Sequence, residues 1–213
     1  MPDSQVTARD EQAVAAVVFD VGGVLLDWDP RHLYRQLFDD PAEMDEFLLT
    51  VCTPDWHRAH DLGEQILPSC RELAARHPER ADLIMAWAHR GEEMIAGQVD
   101  GTVEVLADLQ AAGMPCFLLS NMEAETFPLR QERFPFLKSF DGCVISGFEG
   151  VAKPAREIFE ILLSRYGLEP RRTVFIDDQP RNVAAARGLG LTAIRFTGAA
   201  QLRRDLRDLG LPG

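Results

Sequence analysis

The sequence predicts an α/β protein: a Rossmann-like parallel sheet core with an inserted all-helical cap. Three observations predict it. An apolar run, Ala13–Phe19, ends abruptly in Asp20 and is followed by Gly22 and Gly23. From about residue 100 onward, short apolar runs alternate with segments of helical period. Between these two parts, residues 30–99 carry helical spacing and no strand pattern.

Taken in order, residues 1–12 are polar and read as a terminal arm. Ala13–Phe19 is a strand buried on both faces, as a parallel sheet requires, and Gly22-Gly23 turns the chain after it. Asp29-Pro30 and Asp40-Pro41 each place a capping acid before a proline suited to a first helical turn. Pro68 opens a third helix through His77, and Glu79–Met94 continues with Leu83, Ile84, Trp87 and Met94 on one face. Thr102–Ala112 is a helix ended by Gly113, and Pro115–Leu119 a strand running into Ser120-Asn121. A short helix over Glu123–Arg130 precedes a strand at Cys143–Ile145. Pro154–Tyr166 is a helix stopped by Gly167. Thr173–Ile176 is a strand ending in Asp177-Asp178, followed by a helix at Pro180–Arg187, a strand at Thr192–Phe196 and a closing helix at Ala199–Leu209. Right-handed crossovers then give a parallel sheet, with the core at 14–29 and 100–213 and the cap at 30–99.

Composition narrows the function. A chain of 213 residues makes one domain, or one domain with an insertion, and buries a core without disulfide or metal staples. The net charge of −12 argues against a nucleic-acid partner, which needs a basic face. No apolar stretch approaches the ~20 residues that span a bilayer, and MPDSQVTARDEQ lacks a signal-peptide pattern. The four cysteines are scattered with no CxxC, so they read as buried hydrophobes of a reducing, cytoplasmic protein. Only two of the 22 basic residues are lysines, Lys138 and Lys153, and Asn121 and Asn182 are the only asparagines.

Three strands end in polar residues: Asp20, Ser120-Asn121 and Asp177-Asp178. In an open parallel sheet that edge binds ligands. The competing reading is helix capping by Ser120 and Asp178. Three carboxylates in one crevice call for a cation, and hard oxygen donors favour Mg²⁺. A carboxylate oxygen left free beside the cation is a nucleophile. Ser120, backbone amides and Lys153 suit the oxygens of a phosphoryl group.

Val17–Val24 (VVFDVGGV), Leu118–Asn121 (LLSN), Lys153-Pro154 and Val174–Asn182 (VFIDDQPRN) resemble the four ordered motifs of the haloacid dehalogenase-like hydrolase superfamily. The resemblance covers residues 14 to 200. Within the superfamily, GGVLLDWDPR and the later WHRAHDLGE are most similar to the small-molecule phosphatases related to glucose-1-phosphate phosphatase and to the N-terminal domain of soluble epoxide hydrolase. The resemblance implies that Asp20 becomes an aspartyl-phosphate and that Ser120 and Asn121 contact the transferring group. It gives Lys153 the task of neutralising that group and steadying Asp20. Asp20, the Gly22 carbonyl and Asp178 would bind Mg²⁺, with Asp177 alongside and Asn182 in support. The substrate implied is a small phosphorylated metabolite.

One position departs from the family. Its phosphatases carry a second Asp two residues after the nucleophile, as general acid and base, where this chain has Gly22. Positioned proton transfer contributes ~10²–10⁴-fold. Either Asp27, His57 or His60 replaces it, or the substrates have leaving groups that need no proton, such as anomeric or acyl phosphates. The gap also leaves open a 2-haloacid dehalogenase, or a catalytically weak protein that acts by binding. Trp56 and His57 in the helical block are candidate substrate contacts, against cap packing for Trp56 and solvation for His57 and His60. Trp28 lines the crevice mouth or packs at the junction. His32, His77 and His89 read as solvated, and Arg203-Arg204 as a salt-bridged outer face.

Overall fold

The computed structural model describes residues 13–212; the polar arm expected at 1–12 lies outside them. The elements are β1 (Ala16–Phe19), β2 (Leu26–Trp28), α1 (Arg31–Tyr34), α2 (Pro41–Thr50), α3 (Pro54–Asp61), α4 (Ile66–Arg76), α5 (Ala81–Arg90) and β3 (Ile95–Gln98). There follow α6 (Thr102–Ala111), β4 (Cys116–Ser120), α7 (Phe127–Arg133), β5 (Gly142–Ile145), α8 (Ser146–Glu149) and α9 (Arg156–Tyr166). The chain closes with β6 (Thr173–Asp177), α10 (Pro180–Gly188), β7 (Thr192–Arg195) and α11 (Ala199–Asp208).

The sheet is parallel throughout, in the order β5-β4-β1-β6-β7. Pairing of Val17 with both Cys116 and Val174 puts β1 at the centre. The polar ends of β4, β1 and β6 therefore lie side by side. Alternation along β1 divides the core. Val17 and Phe19 pack with Leu118, Ile176, Leu106 and Leu202 on one face. Ala16 and Val18 pack with Phe159, Leu162, Phe175 and Ala186 on the other. Helices therefore cover both faces, which is why the central strand β1 is apolar throughout.

The block between β2 and β3 has its own apolar centre, in which Leu33, Tyr34, Phe47, Cys70, Ile84 and Trp87 are buried. Two of its helices, α2 and α3, start where proline and a cap meet. Asp40 accepts from the Ala42 amide at 2.8 Å, and Thr53 Oγ1 from the Trp56 amide at 3.1 Å, each just ahead of a proline. The block departs from the all-helical expectation at its end. Ile95–Gln98 is a strand, paired antiparallel with Leu26–Trp28. These strands are too short to show a period of two, and their partners are far apart in sequence. Two helices also start later than expected: α7 at Phe127 rather than Glu123, and α9 at Arg156 rather than Pro154. All four cysteines are free, and burial pushes the Cys52 thiol up to about 12 and the Cys70 thiol up to about 11.

Gly147 in α8 seats the loop after β4. Its amide donates to the Met122 carbonyl at 3.1 Å, and a Cβ there would overlap the Ala124 nitrogen. The opposing atoms are backbone and have no rotamer to yield. Gly147→Ala is therefore expected to lower stability by ~1–3 kcal/mol, the usual range for overpacking. Urea unfolding measures it, and a parental midpoint would show that the loop has slack.

Candidate active site

Asp20 follows the central strand at the sheet's carboxyl edge. The turn after it is tight: the amides of Val24, Leu25 and Leu26 converge on the Val21 carbonyl, and Gly23 donates to Leu26. Gly23 takes φ +73°, and a Cβ there would press on the Asp178 carboxylate at 3.0 Å. Gly22 is not in the left-handed region, and a Cβ there would meet nothing within 4 Å.

Around Asp20 the structure gathers side chains from three strand ends. Asp20 Oδ1 accepts from the Val21 amide at 2.7 Å and the Ser120 hydroxyl at 3.0 Å, and lies 2.9 Å from Lys153 Nζ. Lys153, fully buried, also donates to Asp177 Oδ2 at 2.7 Å and to the Leu119 carbonyl at 2.8 Å. Its three N–H donors are thus spent on protein. The Phe175 ring lies 5.4 Å from the ammonium. Asp177 in turn accepts from the Gln179 amide at 2.8 Å and from Asn182 Nδ2 at 3.0 and 3.1 Å. Asn121 clamps the Lys153 backbone, its Oδ1 accepting from Lys153 N at 2.8 Å and its Nδ2 donating to Lys153 O at 3.0 Å.

Charge follows from this packing. Burial and the neighbouring Asp177 push the Asp20 carboxyl up to about 7, against the Lys153 ammonium. Burial alone would lower Lys153, but the Asp20 and Asp177 charges outweigh it and raise it. Burial and Asp177 also raise Asp178.

One carboxylate oxygen each from Asp20, Asp177 and Asp178 lie within 4.8 Å of one another, a group that can hold a metal ion. The fit to a hard cation is good. The Gly22 carbonyl takes none of the turn's hydrogen bonds. Asn182 Oδ1 is buried without a partner, suited to a cation's bound water. Asp20, Gly22 and Asp178 face the crevice, whereas Asp177 stands behind them on Lys153 and Asn182.

The crevice holds about 570 Å³. Asp20, Gly22, Asn121, Lys153 and Asp178 line it from the sheet edge, and Pro54, His57, Arg58 and Asp61 from α3. Trp28 and Ile95 at the ribbon complete its apolar part. Next to it lies a second charged cluster. His57 Nε2 donates to Glu123 Oε1 at 3.2 Å and lies 4.0 Å from Asp61. Arg130 Nη2 lies 3.1 Å from Glu123 Oε2 and its Nε donates to Glu92 at 3.3 Å. Glu123 and Arg130 are both buried. Burial alone would raise Glu123, but Arg130 and His57 hold it well below the usual carboxylate range. Burial pushes Asp61 up to about 6 despite His57.

Several expectations change here. Ser120 and Asp178 cap no helix: Ser120 binds Asp20, and the N-cap of α10 is Gln179, with no side-chain cap. Asn121 and Lys153 line the crevice, but Asn121's amide and Lys153's donors hold protein rather than standing free for a substrate. Trp56 points into the helical block against Trp87 at 5.1 Å, away from the crevice. Trp28 takes its place in the lining. His60 is fully buried rather than solvated, and Asp27 turns outward to His32 at 3.1 Å. Glu123, Arg130 and Asp61 were not expected from the sequence. The spacing of His57 and Asp61 on one helical face was the available signal.

Removing the Lys153 ammonium leaves two buried carboxylates facing each other. Lys153→Met is expected to lower unfolding stability by ~3–5 kcal/mol at neutral pH, as for other broken buried ion pairs. Chemical denaturation measures it, and a loss under about 1 kcal/mol would mean that Asp20 and Asp177 find other partners.

The chain is similar to known proteins in sequence and in fold. A sesquiterpene phosphatase of Aspergillus oryzae is 25% identical over 205 residues, which cover 91% of this chain and 95% of that one. A haloacid dehalogenase-like hydrolase from Porphyromonas gingivalis superposes with a TM-score of 0.69 at 23% identity, over 91% of this chain and 98% of that one. A family enzyme of Bacteroides thetaiotaomicron, crystallised with magnesium and inorganic phosphate, superposes with a TM-score of 0.64 at 19% identity, over 87% and 96%. These superpositions are likenesses of fold. Because the haloacid dehalogenase-like hydrolase family itself matches residues 14–190, the stretch that carries β1, β4, β5 and β6 of the sheet and the residues lining the crevice, the chain belongs to that family of hydrolases.

Proposed function

We propose that the protein is a Mg²⁺-dependent phosphatase of small phosphorylated metabolites that acts through an aspartyl-phosphate on Asp20. The observation that carries this reading is the asymmetry of Asp20 at the crevice: three donors hold Oδ1, while Oδ2 has none among the described residues. A carboxylate oriented in this way is a nucleophile. Oδ2 attacks phosphorus as the bond to the leaving oxygen breaks. Lys153 and Ser120 keep the attacking carboxylate in one orientation, and the Lys153 charge offsets the incoming anion. Asp177, Asn182 and Asn121 are positioning residues that fix Lys153.

Asp20, the Gly22 carbonyl and Asp178 would hold Mg²⁺. When bound, the ion offsets the charge on the phosphoryl oxygens and lets a carboxylate approach them. Residues 30–99 act as a cap over the core at 14–29 and 100–213, and α3 supplies the crevice wall that selects the leaving group. The relative that is a sesquiterpene phosphatase supports a phosphoester substrate, and the apolar lining at Trp28 and Ile95 accepts its carbon skeleton. Among the described residues no helix is long and apolar enough to cross a membrane.

Phosphate release from p-nitrophenyl phosphate is expected with Mg²⁺ and lost in excess EDTA. Asp20→Asn and Asp178→Ala should each remove it. Full activity in EDTA would overturn the metal assignment. Halide release from 2-chloropropionate without phosphate release would replace this function with dehalogenation. Neither product from the folded protein would leave a binding role.

A further inference from the structure

We infer that His57, on α3, is the catalytic acid and base that replaces the carboxylate missing at Gly22. The inference rests on the phosphatase reading above and adds a residue to it. Of the three sequence candidates, only His57 lines the crevice that Asp20 opens into. His60 is sealed in the helical block, and Asp27 is turned out to His32.

His57 is held as a proton-transfer group must be. Its ring stacks on Trp28 at 5.0 Å, 16° from parallel, with Trp87 5.2 Å away. Nε2 is fixed by Glu123, which Arg130 anchors in turn. Nδ1 has no protein partner among the described residues. A buried carboxylate on one imidazole nitrogen, with the other nitrogen free, orients the ring and favours the imidazolium. Burial alone would lower the His57 pKa. The Glu123 hydrogen bond and the Asp61 and Glu123 charges outweigh burial and Arg130, and raise it. His60, on the same helix, is lowered by burial and by His57. Arg130 also disfavours the alternative that His57, Asp61 and Glu123 hold a cation, because its guanidinium already occupies Glu123.

The steps balance. As Asp20 Oδ2 bonds to phosphorus and the P–O bond to the leaving group breaks, the proton on Nδ1 passes to the leaving oxygen, giving a neutral alcohol and a neutral imidazole. A water then takes the alcohol's place. Nδ1 accepts its proton as its oxygen bonds to phosphorus, the bond to Asp20 breaks, and phosphate, carboxylate and imidazolium are regenerated. With this residue in place, alkyl phosphates are turned over as well as the anomeric and acyl phosphates expected from Gly22 alone.

The test compares an alkyl phosphate with p-nitrophenyl phosphate, whose leaving group needs little protonation. His57→Gln keeps a donor for Glu123 but carries no acid. It is expected to lower kcat/KM for the alkyl ester by ~10²–10⁴-fold, and for the nitrophenyl ester by under about tenfold. Gly22→Asp, for which the turn has room, should restore the alkyl ester in that background. The first step needs protonated His57, so activity falls as pH rises through its pKa. Glu123→Gln lowers that pKa and should move the alkaline limb to lower pH, and imidazole titration by NMR should show the same shift. A folded His57→Gln protein with the parental ratio between the two esters would overturn the inference. So would the selective loss appearing in Asp61→Asn instead. Should His57→Gln fail to fold, an alkaline limb unmoved by Glu123→Gln overturns it equally. A parent that releases no phosphate from either ester overturns the phosphatase reading, and this inference with it.

Discussion

Burying an ammonium away from water costs several kcal/mol unless anions surround it, and the site is organised by that requirement at Lys153. Asp20 and Asp177 supply the anions and the Leu119 carbonyl the third acceptor. Once these partners are in place, little else near them is free to move. Asp177 needs Asn182 and the Gln179 amide, which fixes the start of α10. The Lys153 backbone needs Asn121, which ties the end of β4 to the segment before α9. The orientation of the Asp20 carboxylate is thus a by-product of satisfying one buried charge.

A second buried charge joins the helical block to the core. Arg130 in α7 reaches both Glu123 after β4 and Glu92 at the end of the block. Arg133 adds hydrogen bonds to the Glu92 and Ile95 carbonyls at 2.6 and 3.0 Å. His57 meets the same cluster from α3. The crevice therefore lies between two electrostatic anchors, one fixing its floor and one fixing its wall. A wall held by ion pairs is stiffer than one held by apolar contact alone, since each pair has a narrow range of acceptable geometry.

The sheet was legible because buried parallel strands are written as unbroken apolar runs, and the catalytic edge because each run stops at a polar residue. Val17–Phe19 into Asp20 and Thr173–Ile176 into Asp177 show both signals. The ribbon was not legible, because Leu26–Trp28 and Ile95–Gln98 exist only through pairing with each other. The residue types at the site were legible too, but not their allegiances. Asn121 and Lys153 look like phosphate ligands in sequence, and only the packed structure shows their donors turned to the protein. Glu123 and Arg130 bound a stretch that reads in sequence only as a short helix. Their burial is imposed by α3 and by residues 91–94, which no local pattern near residue 123 records.

The antiparallel pairing of β2 with β3 brings the two connections of the helical block together, one strand spacing of roughly 4.8 Å apart. To the core, the whole block is a closed loop whose ends are already joined. Doubling the length of such a loop costs only about 0.6 kcal/mol of closure entropy. The block can therefore be enlarged, trimmed or exchanged through evolution without disturbing the register of β1 with β4 or β6. The carboxylate cluster at the sheet edge and the α3 wall of the crevice are thereby placed on parts of the chain that can diverge at different rates.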